Sequence, residues 1–187
     1  MTKRTRTVDG KSITMEEDVQ FAHYDPNVAS LMQLGKWFDY MRENGVYDNT
    51  RIILVADHGR GLYLNWDRVI DNGPDTDFFF PLLMVKDFNA KGFSFSDTFM
   101  TTADVPTLAT SGLIDNPTNP FTGNAINANA KYDRPFYAFM SYDWDSSKNN
   151  GNQFFPGTWY RVDNQNARDK RNWVMVGENT VLPDALR

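Results

Sequence analysis

Cysteine is missing from all 187 residues, which excludes disulfides, thiolate metal sites and a cysteine nucleophile within this chain. Histidine is scarce: there are two, His23 and His58, so any imidazole chemistry falls to one of them. No apolar run approaches the ~18–20 residues a membrane-crossing helix needs. The basic start at Lys3, Arg4 and Arg6 is followed by no apolar stretch of the secretory-signal kind. Positive charge is also in short supply, with 19 Lys and Arg against 24 Asp and Glu and a net charge of −5. That balance lays down no cationic face and argues against nucleic acid as a partner. No fixed-period repeat is present. What remains is apolar: hydrophobic residues make up 41% of the chain and aromatics 14%, enough for a globular fold with a core.

Residues 1–23 are polar and aperiodic and are expected to form an irregular entry segment. Asp25 and Pro26 then suit the cap and first position of a helix. Val28, Leu31, Met32, Gly35, Phe38 and Met41 follow at three- and four-residue spacing, the apolar stripe of a helix over 26–43. Gly35 is expected to let that helix pack closely on a sheet, and Gly45 to end it in a left-handed stop. Ile52 to Ala56 is a short apolar run rich in β-branched residues, which predicts a strand buried on both faces of a parallel sheet. Phe78 to Val85 predicts a second strand, with Pro81 near its start. Asp104 and Pro106 predict a short helix over 103–109. Residues 135–142, 158–162 and 173–176 are aromatic and β-prone, with 164–172 joining the last two. The expected architecture is therefore α/β: a partial parallel sheet with helices over 1–126, then a small aromatic-rich antiparallel β annex over 127–187. Two main strands are too few for a complete doubly wound domain.

The chemical signal is Asp57-His58, set where the first predicted strand ends. That carboxyl edge is where ligands bind in open α/β sheets. An adjacent carboxylate and imidazole supply one oxygen and one nitrogen to a divalent cation, with zinc, manganese and calcium all open. Gly59 and Gly61 allow a tight turn. Arg60 offers a planar, permanently charged fork for phosphate or sulfate oxygens.

The run from Leu34 to Gly59, LGKWFDYMRENGVYDNTRIILVADHG, resembles the segment around the metal motif of the alkaline phosphatase/sulfatase superfamily. It is most similar to the sulfatase-like and lipoteichoic-acid-synthase-like branch. The resemblance continues in Phe80–Lys86 (FPLLMVK), in Ala103–Leu108 (ADVPTL) and in Asn119–Gly123 (NPFTG), and covers about 24–126. It implies an alkaline-phosphatase-like sheet, and Asp57 and His58 as ligands of a cation that polarises a sulfate or phosphate ester. The nucleophile of that family, and a further acidic ligand, come from an upstream portion that no segment here matches. The resemblance thus implies the metal-bearing C-terminal part of a hydrolase or transferase, inactive alone, from a branch whose members are often membrane-anchored with the catalytic domain outside the cytoplasm. His23 is a candidate substrate-binding residue; Asp18 and His23 stand one residue too far apart for the family's second Asp/His metal pair. The tail has no histidine to hold sulfate, which favours a one-metal transferase or phosphodiester hydrolase over a classical sulfatase. The alternative is a non-catalytic α/β interaction or glycan-binding module, with Trp144, Trp159 and Trp173 available for stacking. Asp143 and Asp145 lack the pattern of a calcium loop.

Overall fold

The computed structural model describes residues 3–15, 18–62, 66–71, 73–141 and 155–186. Asp143, Trp144 and Asp145 lie outside the described residues. The chain divides into two compact units: Met1–Leu54 with Met84–Phe93, and Val55–Leu83 with Ser94–Arg187.

The first unit opens on a hairpin where an irregular segment was expected. Strands β1 (Arg4–Val8) and β2 (Lys11–Met15) pair antiparallel, with Val8 opposite Lys11. Asp9 and Gly10 take φ of 48° and 73°, the left-handed pair of a two-residue turn whose twist matches the strands it joins. Helix α1 then runs Asp18–Glu43, eight residues longer at its start than the cap signal predicted, with Pro26 inside it. The reason is on the hairpin. Arg6 donates two hydrogen bonds of 3.1 Å to the Asp25 carboxylate and lies 4.8 Å from the centre of the Phe21 ring. Asp25 is thereby drawn away from capping, and the turn before it buries Gln20 and Phe21. Pro26 forfeits the backbone donor that would reach the Ala22 carbonyl; next to it the Asn27 side-chain amide bonds the His23 carbonyl at 2.6 Å.

The helix ends as predicted. Gly45 has φ of 69°, its N–H reaches the Arg42 carbonyl, and the Val46 N–H reaches that of Met41, both at 3.0 Å. This paired closure satisfies carbonyls the helix would otherwise leave open. Gly35, by contrast, has nothing within 4 Å of where a Cβ would stand, so it is not a close-packing glycine. The turn after the helix is tied down by Lys86, whose ammonium donates to the carbonyls of Tyr47, Asp48 and Thr50 and lies 4.4 Å from the Tyr47 ring centre. Arg42 sits at 4.1 Å from the same ring.

Strand β3 (Ile52–Val55) pairs with β4 (Leu83–Lys86) as a two-stranded sheet. Bonds from the Ala56 N–H to Leu82 and from the Gly59 N–H to Phe78 continue the pairing in antiparallel sense. All sheets of the described residues are antiparallel; the expected parallel sheet is not among them. Nor is β3 buried on both faces, since Ile52 is buried but Val55 is 45% exposed. A two-stranded sheet has an open edge on each strand. The second strand also starts later than expected, because Thr76–Phe79 forms a turn of 3-10 helix.

In the second unit, α2 (Val105–Thr110) carries Pro106 in its first turn, as predicted. Asp104 reaches back to the Thr101 N–H at 2.7 Å and pairs with Lys131 at 3.0 Å. Burial pushes the Asp104 carboxyl up, but those partners outweigh it and hold it below the usual aspartate range. A depressed carboxyl stabilises the fold fully above its unfolded pKa of about 3.9, and that contribution fades as pH falls through the folded value. Unfolding followed from about pH 5 down to 2 should therefore show the wild type losing more stability than Asp104→Asn. Parallel curves would remove this carboxylate from the balance.

Strands β5 (Phe136–Met140), β6 (Gly157–Val162) and β7 (Trp173–Thr180) form an antiparallel sheet in that order, the annex the aromatic segments predicted. Ala138 faces Tyr160, and Val162 faces Trp173. These four residues are the buried core, with Ile70, Phe79, Phe136 and Ala167 packed against them. Phe79 ties the 3-10 turn to this core, its ring 5.0 Å from that of Trp173.

Candidate metal centre

The chain leaves β3 at Val55 and turns at once into Asp57–Gly61. The Asp57 carboxylate accepts the His58 backbone N–H through Oδ1 at 2.9 Å, which leaves Oδ2 free of that bond. His58 Nδ1 lies 2.7 Å from the Gly59 carbonyl oxygen. A carbonyl only accepts, so in the neutral ring this contact places the proton on Nδ1 and leaves Nε2 its lone pair. Metal-ligating histidines are held in this way, one ring nitrogen on a backbone carbonyl and the other toward the cation. Nε2 stands 3.7 Å from Asp57 Oδ2. Two bonds of about 2.0–2.2 Å span that gap at an angle of roughly 115–135°, wider than tetrahedral by an amount a small side-chain rotation closes.

The two donors therefore fit one cation as a half-site. Both are open to solvent, the side chains 88% exposed for Asp57 and 66% for His58. Among the described residues no group of three or more His, Asp or Glu side chains converges on a point, so none of these residues adds a third ligand.

The loop is held by a segment that the sequence did not flag. Phe78 accepts the Gly59 N–H at 2.9 Å. A Cβ on Gly59 would stand 2.0 Å from the Asp77 carbonyl oxygen and 2.7 Å from that of Phe80. On Gly61 it would meet the Phe78 ring at 2.5 Å. Both glycines are required by close approach, which goes beyond the tight turn inferred from sequence. Asp75 and Thr76 are fully buried, and the Asp75 carboxylate caps the 3-10 turn by accepting the Asp77 N–H at 3.0 Å. Asp75 two residues ahead of a further Asp was a readable cap signal; that its turn carries the Asp57 loop was not readable.

Arg60 is on the same loop, exposed, with its guanidinium 5.8 Å from the centre of the Phe78 ring. His23 is half-buried on α1 in the first unit, whereas Asp57, His58 and Arg60 belong to the second. A cleft of about 450 Å3 in the second unit is lined by Asp67, Asn166, Arg168, Asp169, Lys170 and Arg171. Its cations are already matched: Arg168 with Asp97, Lys170 with Asp71, and Arg171 with Asp169. Hydrogen bonds from Arg171 hold the Asp169 carboxyl at about 2. Two of the three tryptophans named for glycan stacking are described. Trp173 lies in the core, and Trp159 packs on Phe139 at 4.8 Å with its indole N–H on the Thr180 carbonyl. No protein-family model, curated protein or solved structure matches this chain.

Proposed function

We propose that this chain carries one half of a divalent-cation site belonging to a hydrolase or transferase acting on sulfate or phosphate esters. The observation that supports the reading is the placement of the His58 ring, with Nδ1 2.7 Å from the Gly59 carbonyl oxygen and Nε2 3.7 Å from Asp57 Oδ2. The resemblance of 24–126 to the sulfatase-like branch supplies the ester chemistry. The cation would polarise the ester and lower the pKa of an attacking group. Asp57 and His58 would hold it, and Arg60, exposed on the same loop, would take an ester oxygen as a planar fork. His23 stays a candidate for substrate contact on that resemblance alone. The open edges of β3 and β4, and the exposure of Val55, Met84 and Val85, support a further part of the reading: these strands belong to a larger alkaline-phosphatase-like sheet.

No residue here matches the nucleophile of the resembled family, so the chain alone is expected to leave aryl phosphates and aryl sulfates intact. Two ligands are fewer than the three or four of a stable site, so cation binding is expected to be weak. Calorimetric titration of Mn²⁺ and Zn²⁺ tests this directly. Weak binding should be seen in the wild type and lost in both His58→Ala and Asp57→Asn. Binding that survives both substitutions would put the cation elsewhere and end the assignment.

A further inference from the structure

The Asp57–Gly61 loop has bonds of its own, from the His58 N–H to Asp57 and between His58 Nδ1 and the Gly59 carbonyl, and it is also held from outside. Three facts place its control in the turn beneath it. The Arg68 guanidinium pairs with Asp77 at 2.5 Å, the side chains only 33% and 23% exposed, and the same guanidinium lies 5.6 Å from the centre of the Phe80 ring. Asp77 is also held through its main chain, its N–H on the Asp75 carboxylate and its carbonyl accepting the Phe80 N–H at 3.2 Å. The turn so fixed grips Gly59 at two points: Phe78 takes its N–H, and the Asp77 carbonyl presses against its Cα, where no side chain fits. With its N–H tethered and its Cα against the turn, Gly59 is left with its carbonyl facing His58 Nδ1.

We propose that Arg68 and Asp77 are positioning residues for His58: their ion pair fixes the turn that orients Gly59, and Gly59 selects the ring tautomer that leaves Nε2 free. The ligand-like state of His58 is then set by a cation and a carboxylate ten and nineteen residues further along the chain. A neutral imidazole free in water prefers its proton on Nε2, so the reverse tautomer on so exposed a ring is the mark of an imposed order. The relevance to a cation rests on the reading proposed above; the tautomer does not.

The test is ¹⁵N-resolved NMR of the His58 ring in the metal-free chain, at a pH where the ring is neutral. The wild type should show Nδ1 protonated and Nε2 bare. In Arg68→Gln and Asp77→Asn the balance should move to the Nε2-protonated form, while Arg68→Lys, which keeps the charge, should restore part of the wild-type signal. Dispersed β5–β7 amide resonances certify that each variant is folded. Should Asp77→Asn fail to fold, Arg68→Gln decides alone, because it removes the same ion pair and leaves every residue of the turn itself unchanged. Mn²⁺ titration of the same variants should show affinity down by about tenfold or more. Folded variants that keep the wild-type tautomer overturn the proposal, even if Mn²⁺ binds and the cation reading survives. A tautomer that follows the ion pair upholds it, even if Mn²⁺ binds nowhere and the cation reading falls.

Discussion

Trp173→Ala is expected to destabilise the second unit by about 3–5 kcal/mol, the usual cost of removing a large buried aromatic. The side chain is 6% exposed and touches what holds the unit together. Phe79 lies against it at 5.0 Å and Tyr160 edge-on at 6.0 Å, while its indole N–H donates to the Ala167 carbonyl at 2.8 Å. Truncation removes the buried area, leaves a cavity that the flanking rings cannot fill without breaking their geometry, and strands the Ala167 oxygen. Trp173→Phe keeps most of the volume and loses the hydrogen bond, so about 1–2 kcal/mol is expected. Urea unfolding of the three proteins gives the ranking. A change below about 1 kcal/mol for the alanine would mean that Trp173 is not core, and would return it to the list of surfaces for a sugar. Because Phe79 closes the 3-10 turn, the alanine should also loosen the Asp57 loop.

Local chemistry was legible in the sequence, and distant chemistry was not. The stop at Gly45 and the short helix behind Asp104 depend on residues within a few positions of one another, and the aromatic tail was legible through the β-prone make-up of each of its strands. The start of α1 was misplaced because Asp25, a sound cap in isolation, is claimed by Arg6 from nineteen residues upstream. The N-terminal hairpin carries a local signal of its own: Asp9-Gly10 between Arg4–Val8 and Lys11–Met15 is a strong short-range turn. For Ile52–Val55 the apolar run set the strand but not its neighbours. Composition reports how apolar a strand is, and the direction and number of its partners come from elsewhere in the chain. The same limit applies to the candidate site. Asp57 and His58 are adjacent in sequence and meet in space, but the tautomer depends on a turn at 75–80 that only the fold brings beneath them.

The glycines give the second large effect. Gly59→Ala is expected to cost about 3 kcal/mol or more, the sum of an overpacked site and a lost backbone hydrogen bond. Its new methyl would lie 2.0 Å from one backbone oxygen and 2.7 Å from another, and backbone tied by the Asp75 cap and the Arg68–Asp77 pair cannot step aside as a side chain can. The cheaper escape is for the loop to lift away, which breaks the Gly59–Phe78 bond and frees His58 from its tautomer. Gly61→Ala meets the Phe78 ring first, and a ring can turn, so its cost should be smaller. Gly35→Ala should go the other way. It sits inside α1 with nothing within 4 Å, and alanine there is expected to stabilise by up to about 1 kcal/mol through helix propensity. Denaturant unfolding of the three variants should thus give two losses of unequal size and one gain. If Gly59→Ala is tolerated within about 1 kcal/mol with His58 unmoved, the turn at 75–80 does not hold the loop. The control of His58 would then have to be sought in the loop itself.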